Sequence, residues 1–240
     1  MTITTKLETL PLRTLAWRLS RFRLQAWTRR VTSALGLRPR AQMRLAELTI
    51  PDSEIARRVT QHVIEVAPDF LVNHSLRSYL FGAALGLRDG LNFDPEVLYL
   101  GAVMHDLGLT AYCGGSQQAF ELAGAQQACA FLLERDYDAA KADLVHEAIA
   151  LHTSIGLAAR KEPEIVLVQQ GSSLDMVGLR MEDLASPTVD EIVAAYPRLD
   201  VKRQMILLAQ QAVVGKQDCP LASLMKLGFS RFVLSAPFAE

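Results

Sequence analysis

An all-α helical bundle is predicted for this 240-residue chain, on three observations. Apolar residues recur every three or four positions along most of its length, the interval that lines one face of a helix. The periodic stretches are separated by Pro, Gly, Asp or Ser, residues that start and stop helices. No run of alternating apolar and polar residues is long enough to make a half-buried strand. Half of the residues are hydrophobic, enough for one sizeable core and a short appendage, and no internal repeat or low-complexity linker divides the chain.

The first element differs from the rest. Between residues 10 and 37, Leu12, Leu15, Leu19, Phe22 and Ala26 trace one helical stripe, with arginines mostly on other faces. Residues 1–45 hold ten Lys or Arg against Glu8 alone, a net charge of +9, which leaves about −10 for the remainder of a chain whose total is −1. Residues 1–45 therefore read as a basic amphipathic extension and residues 46–240 as the main domain. Three readings of the extension stand side by side: a basic helix packed on its own domain, a contact for an anionic membrane surface or a partner through residues 10–37, and an organellar transit peptide.

Beyond Arg38-Pro39-Arg40, Asp52 or Ser53 caps a helix over 52–66 that turns Ile55, Val59 and Val63 inward. Further helices are predicted over 72–87, 95–104, 120–134, 139–151, 163–177, 187–196 and 202–214. The helix over 95–104 ends at His105-Asp106-Leu107-Gly108, where Gly108 is expected as a left-handed cap. Lys161, Glu162 and Glu164 read as a solvated helix entry.

Several function classes are disfavoured. Twenty-five Lys and Arg against 26 Asp and Glu give no electrostatic reason for a nucleic-acid partner. Three cysteines without CxxC spacing argue against a disulfide framework and a thiolate zinc site, so a reducing, cytoplasmic setting is expected. No apolar run approaches the roughly 18–20 residues that span a bilayer. No GxSxG elbow, P-loop or GxGxxG occurs, Gly114-Gly115-Ser116 is too short for a phosphate cradle, and Cys113 reads as a buried thiol rather than a nucleophile.

Five histidines are present, and four fall between positions 74 and 152. His105-Asp106, at a helix end, can turn an imidazole and a carboxylate toward one ion. His74 shares a helix face with Leu71, Ser78, Phe81 and Leu85, where an unpartnered imidazole costs free energy. Asp175 follows the apolar run Ile165-Val166-Leu167-Val168 and needs neutralising if buried. Two imidazoles and two carboxylates suit one divalent metal ion, zinc or iron before manganese.

Four local patterns, in order, carry a resemblance: Asn73-His74-Ser75-Leu76-Arg77-Ser78-Tyr79, Met104-His105-Asp106-Leu107-Gly108, Phe120-Glu121-Leu122-Ala123-Gly124-Ala125 and Ala148-Ile149-Ala150-Leu151-His152-Thr153. Over about residues 48–215 the chain resembles the HD-domain superfamily of metal-dependent hydrolases, and within it the branch related to cyanamide hydratase. The resemblance implies an HD-domain helical bundle with an extra basic N-terminal helix. It implies His74, His105, Asp106 and Asp175 as metal ligands, with Arg77, Glu121, His152 and Thr153 around the pocket. His146 lies six residues before His152, about 240° around a helix, and is assigned to packing or surface, so a single metal is expected.

The chemistry implied is activation of water for attack on a small-molecule substrate. Asp106 would accept the water proton, His152 would act as acid, and Arg77 or the ion would stabilise the developing charge. A hydratase acting on a nitrile-type carbon is the first reading. A phosphohydrolase is the second, disfavoured by the acidic core region, because phosphate recognition calls for cationic contacts. A non-catalytic metal- or ligand-binding module is the third. A homo-oligomer is compatible with each.

Overall fold

The computed structural model describes residues 10–37, 39–114, 116–154, 161–216 and 219–240. Eleven α-helices are formed by the described residues: α1 (Leu12–Ala34), α2 (Glu54–Val66), α3 (Asp69–Arg88), α4 (Pro95–Met104), α5 (Phe120–Leu133), α6 (Ala139–Leu151), α7 (Pro163–Val177), α8 (Ser186–Ala195), α9 (Val201–Ala212), α10 (Pro220–Lys226) and α11 (Phe229–Leu234). A single parallel bridge between Ala41 and Leu184 is the nearest approach to a sheet among these residues. The all-α prediction is met.

Local chemistry sets the helix starts. Ser53 accepts from the Ala56 amide at α2, Asp94 from Glu96 and Val97 at α4, and Asp138 from Lys141 at α6, each satisfying an orphan N–H of a first turn. α10 and α11, of seven and six residues, went unseen because neither spans two full helical periods. Glu164, read from sequence as solvated, is instead buried and accepts from the Asp94 amide at 2.6 Å, tying the start of α7 to the cap of α4.

α3 runs through the middle of the molecule and crosses α7 very closely. A Cβ at Gly171 would lie 2.0 Å from the Ser78 carbonyl oxygen, and one at Gly82 would lie 2.8 Å from that of Leu167. Only glycine permits the backbones this close, and the crossing brings His74 of α3 to Asp175 of α7. Gly108 corrects another expectation. It is not in the left-handed region; it belongs to a 3-10 turn over Leu107–Leu109, and its added Cβ would meet the Phe120 carbonyl at 1.9 Å. Its role is to let the His-Asp turn lie directly on α5.

The basic extension packs on the domain rather than apart from it. The Ala41 amide donates to the Asp183 carbonyl, and Thr188 bonds the backbone of Met43. Leu15 is buried, while Trp17, Leu24 and Trp27 on other parts of α1 are exposed. Among the described residues no helix is long and apolar enough to cross a membrane.

Gly171→Ala should destabilise the protein by about 2–3 kcal/mol or more, read as a lowered denaturation midpoint, because backbone must move to admit the methyl group. An unchanged midpoint would mean the α3–α7 crossing is looser than described.

Candidate metal centre

His74 sits on the inner face of α3, His105 caps the C-terminal end of α4, and Asp106 begins the 3-10 turn that follows. His152 caps the end of α6. All four are buried. Ligand atoms of His74, His105 and Asp106 lie within 4.8 Å of one another, and these three form the candidate metal-holding group among the described residues.

Each imidazole is oriented through its Nδ1. His74 Nδ1 lies 2.7 Å from Asp175 Oδ2, while His105 and His152 Nδ1 lie 2.7 Å from the carbonyl oxygens of Ala102 and Ile149. Those oxygens accept, so each Nδ1 donates and each Nε2 lone pair points inward. His74 and His105 Nε2 face each other at 3.2 Å, and Asp106 Oδ2 stands 3.2 Å from the His105 nitrogen and 3.5 Å from that of His74. With both imidazoles neutral, three acceptors converge on one point. A divalent cation resolves that repulsion, so the residues fit an ion of the kind borne by nitrogen and oxygen ligands. His152 Nε2, 3.6 Å from Asp106 Oδ1, flanks the same point.

The titration directions agree with this arrangement. Burial lowers the His105 pKa, but Asp106, with the Ala102 carbonyl and Asp175, offsets it and the net shift is upward, so a proton and an ion compete for one lone pair. Burial raises Asp106, yet His105, His74 and His152 together hold its carboxyl well below the usual range. Burial, reinforced by His105, pushes His152 down to about 4, leaving it neutral near pH 7.

Asp175 is the fourth ligand that the resemblance implies. It binds the Nδ1 side of His74, the far edge of the ring from the convergent Nε2 atoms, and is not part of the three-residue group. Arg77 grips it with Nε at 2.7 Å from Oδ1 and Nη2 at 2.8 Å from Oδ2, and Arg198 Nη1 adds a contact at 2.9 Å. Burial raises the Asp175 pKa, but Arg77 and His74 outweigh it and keep the group anionic. A cavity opens beside the His74–His105–Asp106 cluster, and Arg77, fully buried behind this carboxylate, does not line it. Arg198 had no sequence signal: nothing in Tyr196-Pro197-Arg198 marks it as buried.

Glu121 is buried on α5 and accepts from Thr153 Oγ1 at 2.7 Å; burial pushes its pKa up to about 7. Thr153 and His152 line the cavity, whereas His146 is buried away from it. Burial pushes the Cys113 thiol up to about 11, which suits a packing role. Gly115 of the glycine run lies outside the described residues.

The profile of the HD domain matches residues 71–194, just over half of the chain and spanning His74, His105, Asp106, His152 and Asp175. The chain belongs to the HD-domain family. Among curated proteins it is similar to two from Saccharomyces cerevisiae, cyanamide hydratase DDI2 and cyanamide hydratase DDI3, each 29% identical over 166 residues that cover 62% of this chain and 68% of the relative. An HD domain of this kind is a metal-dependent hydrolase or hydratase.

Asp175→Asn should cost about 3–5 kcal/mol of stability, because two buried guanidiniums lose their counter-charge; chemical denaturation checks this. Glu121 generates a pH effect of known sign. Its pKa rises from 4.5 to about 7 on folding, so its contribution is full below pH 4.5 and is lost as pH climbs through 7. Glu121→Gln should therefore gain up to about 3 kcal/mol on the wild type at pH 8 and little at pH 4, measured by denaturation at both values.

Proposed function

We propose that the protein is a metal-dependent hydratase that adds water to the electrophilic carbon of a nitrile-type small molecule. The observation that carries this reading is the set of inward acceptor atoms of His74, His105 and Asp106, opening on a cavity whose other charged lining residues, among the described residues, are Arg23 and Arg30, with neutral His152 beside the cluster. A phosphoester calls for several cationic contacts around the reacting group, and the described lining supplies Arg23 and Arg30, both from α1 and neither from the helices that bear the candidate ligands. The two cyanamide hydratases support the same choice.

His74, His105 and Asp106 would hold the ion. When bound there, a zinc or iron ion supplies Lewis acidity and lowers the pKa of a coordinated water to about 7. Asp106 Oδ1, on the side facing His152, is placed to take the proton that water loses. His152 starts neutral, so its Nε2 would receive that proton from Asp106 and return it to the substrate nitrogen, and the hydroxyl hydrogen of the resulting imidic acid then moves to the same nitrogen. The balance is simple: the water oxygen bonds to the nitrile carbon, both water hydrogens end on the product, and an amide results. Asp175 and Arg77 are positioning residues that hold His74 with its Nε2 lone pair inward.

His105→Ala and Asp106→Ala should each lower metal affinity by at least about 100-fold and abolish turnover with it, read by metal analysis alongside amide formation from cyanamide and simple nitriles. Chelation of the wild type should do the same, reversed by zinc or iron. Turnover by a folded, metal-free variant would overturn the assignment, and hydrolysis of nucleotides or a chromogenic phosphodiester without nitrile hydration would establish a phosphohydrolase.

A further inference from the structure

The cavity beside the cluster measures about 570 Å³, within the roughly 300–1,000 Å³ range that buries drug-sized molecules and far more than cyanamide requires. Its polar side chains are those of His74, His105, Asp106, His152 and Thr153, with Gln169, Ser172 and Ser173 on α7, Ser235 after α11, and Arg23 and Arg30 on α1. Much of the remaining wall is hydrocarbon and aromatic. Leu19 and Phe22 come from α1, Leu221 from α10, and Phe229 and Phe232 from α11. The helices that bear the candidate ligands supply none of these five residues. Apart from the cluster and His152, the charges on the described lining are those of Arg23 and Arg30, so a cationic group on the ligand is disfavoured.

We propose that the substrate is a largely apolar molecule of drug size, uncharged or anionic, that presents its reactive carbon to the His74–His105–Asp106 cluster and lays its body against the wall built by α1, α10 and α11. This rests on the hydratase reading for the reactive group alone. The size and polarity of the body follow from the cavity whatever the reaction is.

Straight-chain nitriles from acetonitrile to octanenitrile test it, titrated into the full-length protein with and without bound metal by calorimetry. Fluorescence follows the same titrations, since Trp27 lines the cavity and Trp17 is the chain's other tryptophan. Affinity should rise roughly three- to fourfold per added methylene, as expected when each is withdrawn from water. The rise should appear in the metal-free protein too. Ala26→Phe, on the peripheral helix α1 and in the cavity wall, should weaken octanenitrile binding by at least roughly tenfold while metal content stays that of the wild type. Length-dependent binding without turnover would leave this proposal standing and sink the nitrile chemistry. Turnover of cyanamide or acetonitrile with affinity flat across the series, or an Ala26→Phe protein that binds octanenitrile as the wild type does, would overturn the proposal.

Discussion

Asp175 is fully buried at the α3–α7 crossing, where its two carboxylate oxygens accept from His74, Arg77 and Arg198. A carboxylate there without those partners would cost several kcal/mol of desolvation, and the guanidiniums without it would cost the same. The group is kept ionised, and as an anion it can only accept, which makes His74 Nδ1 the donor. That single constraint fixes the His74 tautomer, and through it the direction of the Nε2 lone pair on which the candidate metal centre depends. The close approach at Gly82 and Gly171 is what brings the two helices near enough for it.

The remaining imidazoles follow the same logic with backbone in place of carboxylate. His105 and His152 each cap a helix, and each Nδ1 donates to the carbonyl three residues earlier in its own helix. A helix end leaves such carbonyls without intrahelical partners, so it can satisfy an acceptor and aim a ring at once. Two helix ends and one helix face thereby direct four acceptor groups at one point, in a protein interior where like dipoles repel strongly.

Much of this was legible in the sequence, and the exceptions share a cause. Period and caps located α1 to α9, because a helix long enough to repeat its apolar face announces itself. His74 and His105-Asp106 stood out because polar side chains on apolar faces need a physical reason. The same reasoning required a counter-charge for Asp175. The structure supplies one from Arg77 and Arg198, and an arginine's sequence context does not say which way its guanidinium turns. Gly108 was assigned to a helix cap because spacing along the chain was visible and the proximity of α5 was not. Contacts between distant segments, Gly171 on Ser78 or α1 over the cavity, lie beyond any local pattern.

The position of α1 separates two kinds of change open to this chain. The reacting atoms are borne on helices that form the centre of the molecule, where substitutions disturb packing and charge together. Leu19, Phe22, Leu221, Phe229 and Phe232, which face the body of whatever enters, lie outside the 71–194 stretch that defines the family. Substitutions in these terminal helices can therefore reshape the cavity wall without touching His74, His105 or Asp106.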